Sequence, residues 1–150
     1  MASVSTYLNF NGQTEEAFIF YKSIFGTEFV GNGILRMGDV PPSEEDGPPA
    51  SEAEKNLVMH VSLPILDGHV LMGSDVPEHW GKTTVGTNFY ISLHPDTREE
   101  ADRLFAALSE GGEVESAMAD QFWGDYFGSL TDRFGINWMV NYSDPANRPQ

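Results

Sequence analysis

The chain has 150 residues, 40% of them hydrophobic, and its 10 Phe, 5 Tyr and 3 Trp supply enough apolar material for the core of one domain. The lack of cysteine excludes disulfides, thiolate nucleophiles and Cys-based zinc sites. A net charge of −15 with only eight Lys and Arg opposes nucleic-acid binding, and no apolar run reaches the ~18 residues of a membrane span. Because no secretory signal opens the sequence, we expect a single cytoplasmic domain over residues 1–150, with no nucleic-acid or membrane partner.

The first predicted elements are a strand, a helix and a weaker strand. Alternation of apolar and polar residues predicts a strand over 4–10. Thr14, followed by two glutamates, predicts a capped helix start, and Gly26 predicts the end of that helix. A looser strand is predicted over 29–37. The segment 39–56 is rich in Pro, Glu, Ser and Gly and predicts a mobile acidic loop.

Two further strands complete the first half. Residues 57–65 alternate again, and this alternation places His60 on the opposite face from Val61. Asp67-Gly68 is a strong signal for a tight hairpin turn. We therefore predict that residues 69–76 form the returning strand of a hairpin.

The second half repeats this order of elements. Strands are predicted over 87–93, 113–119, 126–130 and 137–142, and a helix over 97–110 carries a buried stripe that includes Leu104 and Leu108. Both helices begin with Glu-Glu-Ala, and the register of the halves sets Tyr7 opposite Tyr90 and Met72 opposite Met139. The fold class predicted from this repeat is α+β, with two βαβββ modules over about 3–76 and 87–142.

One face of each sheet is left without a helix, and its residues are mixed in character. Such a face can line a partly polar pocket, or its residues can simply face solvent as ordinary strand positions. Its predicted members are Ser5, Tyr7, Asn9, Val58, His60, Ser62, Asn88, Tyr90 and Ser92.

Several ordered motifs resemble the PhnB-like branch of the vicinal oxygen chelate (glyoxalase/bleomycin-resistance) superfamily, whose members are often labelled 3-demethylubiquinone-9 3-methyltransferase. The similarity covers about residues 3–142 and implies paired modules that form a U-shaped mixed sheet with the helices outside, and a homodimer. The motifs are Tyr7-Leu8-Asn9-Phe10-Asn11-Gly12, Phe20-Tyr21, Phe25-Gly26, His60, Leu71-Met72 with Ser74-Asp75, Phe122-Trp123-Gly124 and the run from Leu130 to Trp138.

The resemblance also implies where a metal would bind, because metal-dependent members carry His, Gln or Glu on the first and last strands of each module. Those positions fall at or near Tyr7, Tyr90, Met72 and Met139 here. Thioethers and neutral phenols are poor ligands for hard divalent cations. We therefore expect no bound catalytic metal and no cofactor.

The remaining candidates for ligand binding have both a functional and a structural interpretation. His60 can bind ligand or transfer a proton, or it can be a histidine hydrogen-bonded across strands. Asp75 can accept a ligand hydroxyl or act as a base, or it can belong to a turn. Trp123 can wall a pocket, or it can lie in the core or a dimer interface. The full candidate set is Tyr7, Asn9, His60, Met72, Asp75, Tyr90, Trp123 and Met139.

The leading functional hypothesis is a homodimeric protein that binds a small molecule in a cleft between the modules, without a catalytic metal. Whether it is an enzyme is left open. The rival is an enzyme: a metal-dependent lyase, isomerase or dioxygenase, or a metal-free catalyst that uses His60 with Asp75. A third hypothesis is a non-catalytic dimeric scaffold. No glycine-rich loop typical of a Rossmann-like nucleotide site supports the methyltransferase label.

Overall fold

The computed structural model describes residues 2–41 and 51–147. The chain divides into two units, Met1–Thr84 and Val85–Gln150, and one predicted module falls in each. Each unit contains one four-stranded sheet that includes a parallel strand pair. The predicted α+β class with two mixed sheets is therefore confirmed. The U-shaped arrangement and the single domain stay predictions.

The first unit builds its sheet in the order β1-β4-β3-β2. Its helix α1 begins at Thr14 and ends at Phe25, where Gly26 adopts the left-handed conformation as predicted. Phe18 of α1 lies so close to Gly73 that a β-carbon there would approach its ring to 2.6 Å. Because only glycine leaves that space, the helix packs tightly on the sheet. The strands are β1 (Thr6–Phe10), β2 (Leu35–Arg36), β3 (Val58–Pro64) and β4 (Val70–Asp75).

The second unit repeats this plan in the order β5-β8-β7-β6. Its helix α3 (Arg98–Ser109) begins after Thr97, whose hydroxyl accepts a hydrogen bond from the Glu100 amide at 3.1 Å. The predicted stripe of α3, including Leu104 and Leu108, is buried. The strands are β5 (Ile91–Leu93), β6 (Glu113–Asp120), β7 (Asp125–Thr131) and β8 (Asn137–Ser143).

Two strands are much shorter than the sequence predicts. The predicted strand over 29–37 is reduced to β2, because Gly31 and Gly33 adopt positive φ angles of 65° and 87° that turn the chain. The predicted strand over 87–93 is reduced to β5. Before β2, the Val30 amide still donates to the Ser62 carbonyl of β3 at 3.0 Å, but the turns at the two glycines interrupt a continuous ladder.

An irregularity in β3 corrects one predicted face. His60 pairs with Leu35 and Val58 pairs with Arg36, so Met59 is an extra residue between two consecutive pairs. This bulge reverses the alternation before it. Val58, predicted for the open face, is 1% exposed in the core, and Met59, which strict alternation would place on the same face as Val61, is 42% exposed.

The predicted acidic loop over 39–56 contains regular structure at its end. Helix α2 (Glu52–Asn56) begins after Ser51, whose hydroxyl accepts a hydrogen bond from the Glu54 amide. Residues 42–50 lie outside the described residues, and the mobility of the loop stays a prediction. Within 2–41 and 51–147, none of the helices has the length and apolar character needed to cross a membrane.

Candidate functional site

The open face of the first sheet brings several predicted residues together. Leu8 and Phe10 are buried on the α1 side of β1, which leaves Tyr7 and Asn9 on the other side. Tyr7 pairs with Met72 of β4, and Met72 pairs with Ser62 of β3, so the three form one row across the sheet. Asn9 accepts a hydrogen bond from the Ser74 hydroxyl at 3.2 Å.

His60 is at the centre of the polar contacts on this face. Its Nε2 lies 2.9 Å from Ser62 Oγ, and its Nδ1 lies 3.4 Å from the Tyr7 hydroxyl. The Tyr7 and His60 rings are 5.8 Å apart, centroid to centroid, at an angle of 36°. A half-buried imidazole with hydroxyls at both nitrogens can hydrogen-bond a ligand or pass a proton along the chain from Tyr7 to Ser62.

Asp75 does not belong to this face. It is 4% exposed on the α1 side of β4, with Leu71 and Gly73. Its Oδ1 accepts hydrogen bonds from the amides of Gly12 and Thr14, both at 3.1 Å, and from the Thr14 hydroxyl at 2.7 Å; its Oδ2 accepts one from the Val58 amide at 2.8 Å. The predicted His60–Asp75 pair is therefore wrong. Asp75, rather than the predicted Thr14 hydroxyl, caps the start of α1.

The second sheet has an equivalent row on its open face, but its register differs from the predicted one. Met139 pairs with Ser92 of β5 and with Ser129 of β7. This matches the row of Tyr7, Met72 and Ser62 in the first unit. The counterpart of Tyr7 is therefore Ser92 rather than Tyr90, because the strand register is displaced by two residues from the one read in the sequence.

Tyr90 makes a different contact, which the sequence did not reveal. Its hydroxyl lies 2.7 Å from both carboxylate oxygens of Glu115 on β6, and Ser129 Oγ donates to the same carboxylate at 3.2 Å. The hydrogen bond to Glu115 raises the pKa of Tyr90 above its ordinary value. Glu115 lies in a predicted strand. Two irregularities in the β6–β7 pairing interrupt the alternation of faces, so the sequence pattern does not indicate which face Glu115 occupies.

Trp123 lies in the turn between β6 and β7, where it forms an aromatic cluster with its neighbours. It is 52% exposed, and Phe122 beside it is 98% exposed. The Trp123 ring lies 5.1 Å from the Phe122 ring and 6.1 Å from the Phe127 ring. The core interpretation of Trp123 is therefore wrong, and the cluster is available for a ligand or a partner.

The first- and last-strand positions do not fit a divalent metal ion. They present a phenol at Tyr7, a hydroxyl at Ser92 and thioethers at Met72 and Met139. Hard cations prefer carboxylate and imidazole ligands to these groups. Within residues 2–41 and 51–147, no three His, Asp or Glu side chains lie close enough together to hold an ion.

Comparisons with known proteins place this fold in a family. The family model described as 3-demethylubiquinone-9 3-methyltransferase matches residues 2–141. Protein PA1353 of Pseudomonas aeruginosa is 36% identical, with a TM-score of 0.80 over 95% of this chain and 98% of that one. A PhnB protein of Bacillus cereus, titled a putative 3-demethylubiquinone-9 3-methyltransferase, is 26% identical, with a TM-score of 0.70 over 95% and 100%.

A more distant structure shows the fold alone. A glyoxalase/bleomycin resistance protein/dioxygenase family enzyme of Burkholderia phytofirmans is 17% identical, with a TM-score of 0.59 over 93% of this chain and 98% of that one. The chain therefore belongs to the PhnB-like family that carries the 3-demethylubiquinone-9 3-methyltransferase label, within the glyoxalase/bleomycin resistance/dioxygenase fold.

Proposed function

We propose that this protein binds a small molecule against the open face of its first sheet, without a catalytic metal. The observation that carries the proposal is the position of His60, which is half-buried between two hydroxyl groups on the face of the sheet opposite α1. Ligand sites in proteins typically place a few polar side chains, such as this imidazole, in a mainly apolar lining.

The chemistry of the face indicates the kind of ligand. Tyr7 offers an aromatic surface that is 47% exposed, and Met72 beside it is half-buried and adaptable in shape. Asn9, His60 and Ser74 provide polar groups around them. None of these residues carries a fixed charge, so we expect an uncharged ligand with an apolar ring or chain and a few polar groups.

Catalysis by His60 is the second candidate function. The chain from the Tyr7 hydroxyl through the imidazole to Ser62 provides a route for one proton. Such a catalyst would act without Asp75, whose carboxylate is fully occupied on the other face. The same ligand would then be a substrate, and turnover would depend on His60.

The test is native mass spectrometry of small molecules retained by the purified protein. We expect the wild type to retain a ligand and His60→Ala to lose roughly tenfold in affinity for it, the usual cost of a lost ligand hydrogen bond in a partly buried site. His79→Ala is the matched control, because it removes an exposed imidazole of the same unit outside the strands.

Two results would contradict this proposal. One is an equal affinity of His60→Ala and wild type for the retained molecule, when both proteins are folded. The other is elemental analysis that finds one divalent ion per chain, lost in a Met139→Ala variant. That result would favour the metal-dependent lyase, isomerase or dioxygenase.

We also propose a homodimer. The support is the set of large apolar side chains that lie exposed in the described part of the chain, since such surface is commonly covered by a partner. Dimerisation without any ligand would favour the scaffold hypothesis. The most exposed of these side chains are Phe122, Val4, Trp80 and Val85.

A further inference from the structure

A groove lies where two parallel strands of the second unit end. Strands β5 and β8 run parallel, so their carboxyl ends meet at one edge of the sheet. The groove there has a volume of about 370 Å³. His94, which follows β5, lines it together with Asn141 and Ser143 at the end of β8. These polar side chains have no part in the row around Met139.

Asp125 is held beside this groove by the residues that line it. Asn141 Nδ2 donates to Asp125 Oδ2 at 3.0 Å, Ser143 is the strand partner of Asp125, and hydrogen bonding from Ser143 and Trp123 adds smaller contributions to the stability of the carboxylate. These hydrogen bonds, with the nearby His94, lower the pKa of Asp125 below its ordinary value of 3.8. The carboxylate is therefore ionised at neutral pH and fixed in direction.

The arginines in the described part of this unit are engaged elsewhere. Arg98 forms two hydrogen bonds with Asp120, and Arg103 pairs with Glu100. Arg133 donates to the backbone carbonyl of Glu110. His94 is the basic side chain near Asp125, and no Lys or Arg in the described part of this unit is shown paired with this half-buried carboxylate, which leaves it available to a cation from outside the protein.

Aromatic rings stand next to this carboxylate. Trp123 lies two residues before Asp125 in the chain, and its ring lies 6.1 Å from that of Phe127, which shares the open face of β7 with Asp125. Trp123 is 52% exposed. An ammonium group is attracted both to a carboxylate and to the face of an indole ring, which is the best of the aromatic partners for a cation.

We propose that Asp125, Trp123 and Phe127 form, with the adjoining groove, a binding site for an amine-bearing small molecule. The ammonium group lies against the Asp125 carboxylate and the Trp123 ring, and Asn141 and Ser143 offer hydrogen bonds to polar groups on the rest of the molecule. The site lies wholly in the second unit. It does not depend on the function proposed for His60.

The test compares benzylammonium with benzyl alcohol, a neutral molecule of similar size. Binding is followed by two-dimensional ¹H–¹⁵N NMR through the indole resonance of Trp123 and the backbone amides of Asn141 and Ser143. We expect saturable shifts with benzylammonium, and an affinity at least about fivefold weaker for benzyl alcohol because the charge-assisted contacts are missing. Asp125→Asn should weaken benzylammonium about tenfold and leave benzyl alcohol unchanged.

Asp67→Asn is the matched control, because it removes one carboxylate from a turn of the first unit. An unchanged resonance of the buried Trp138 indole in each variant shows that the second unit stays folded. The proposal is overturned by equal affinities for the two probes, by an equal effect of both variants, or by the absence of saturable shifts. His60→Ala should not alter benzylammonium binding, so this result is separable from the test of His60.

Discussion

Asp75 shows how one buried carboxylate can decide local structure in the first unit. It accepts hydrogen bonds from the start of α1 and from the first residue of β3, and thereby joins segments that are far apart in sequence. The donors at Gly12 and Thr14 belong to the positive end of the helix, where a negative charge is stabilising. Its function is therefore the assembly of the fold.

Removing this carboxylate should destabilise the protein strongly. In Asp75→Ala the amides of Thr14 and Val58 lose their acceptor while they remain buried, so we expect the free energy of unfolding to fall by roughly 2–5 kcal/mol. Urea unfolding followed by circular dichroism measures this loss.

The neighbouring residue provides the control. Ser74→Ala removes a hydroxyl from the open face of the same strand, and should lower the free energy of unfolding by no more than about 1 kcal/mol. Equal losses in the two variants would show that Asp75 has no special structural role.

Single residues differ in how far their positions could be predicted. His60 was placed on the open face because alternation holds from His60 through Leu63. The prediction that Val58 lies on the open face is wrong, because the pattern of apolar residues gives no signal for a bulge. Glu115 cannot be identified from the sequence, because its partners lie far from it in the chain: Tyr90 just before β5 and Ser129 on β7.

At the scale of elements, α3 is tied to β6 and β7 by one arginine. Arg98 donates from both of its terminal nitrogens to the Asp120 carboxylate, at 3.0 and 2.9 Å, and its guanidinium lies 3.8 Å from the centre of the Tyr126 ring. Such paired hydrogen bonds fix the geometry of both side chains. The pair thus anchors the first turn of α3 to the sheet.

This anchor should respond to acid. The hydrogen bond from Arg98 lowers the pKa of Asp120 below its ordinary value of 3.8. A lowered folded-state pKa means that the stabilisation is complete above pH 3.8 and is lost as the pH falls through the lowered value. We therefore expect wild type to melt at a slightly higher temperature than Asp120→Asn at pH 6, and this difference to disappear at low pH.

Melting temperatures of both proteins across this pH range check the prediction. Asp144→Asn, in the exposed segment after β8, is the control for a lost surface charge. If the difference between wild type and Asp120→Asn were the same at every pH, the ion pair would not contribute through its carboxylate.

The elements themselves were predictable to different degrees. Both long helices have local signals in the sequence: glutamates in the first turn, an apolar stripe and, for α1, a terminal glycine. Strands β2 and β5 were predicted too long, because a strand exists only where another strand pairs with it. Local pattern thus suffices for these two long helices, whereas a strand also needs its partner.

At the scale of the whole molecule, the repeat makes the fold predictable, but it does not determine which strand positions of the two halves correspond. The order of strand, helix and three strands appears in both units, and in each the last strand pairs in parallel with the first. The open faces, however, carry different chemistry: an uncharged row around Met72, and carboxylates at Glu115 and Asp125 beyond Met139. The two halves therefore share an architecture but differ in the side chains of their open faces.

The net charge of −15 should govern self-association. Two copies of this chain repel each other, and the repulsion acts over a Debye length of about 30 Å at 0.01 M salt but only about 8 Å at 0.15 M. If exposed apolar side chains such as Phe122 and Trp80 are covered in a homodimer, added salt weakens the repulsion and leaves the apolar attraction in place. Sedimentation velocity over a concentration series should therefore show a tighter dimer as NaCl rises, and a dimer that dissociates on added salt would instead indicate an interface held by ion pairs.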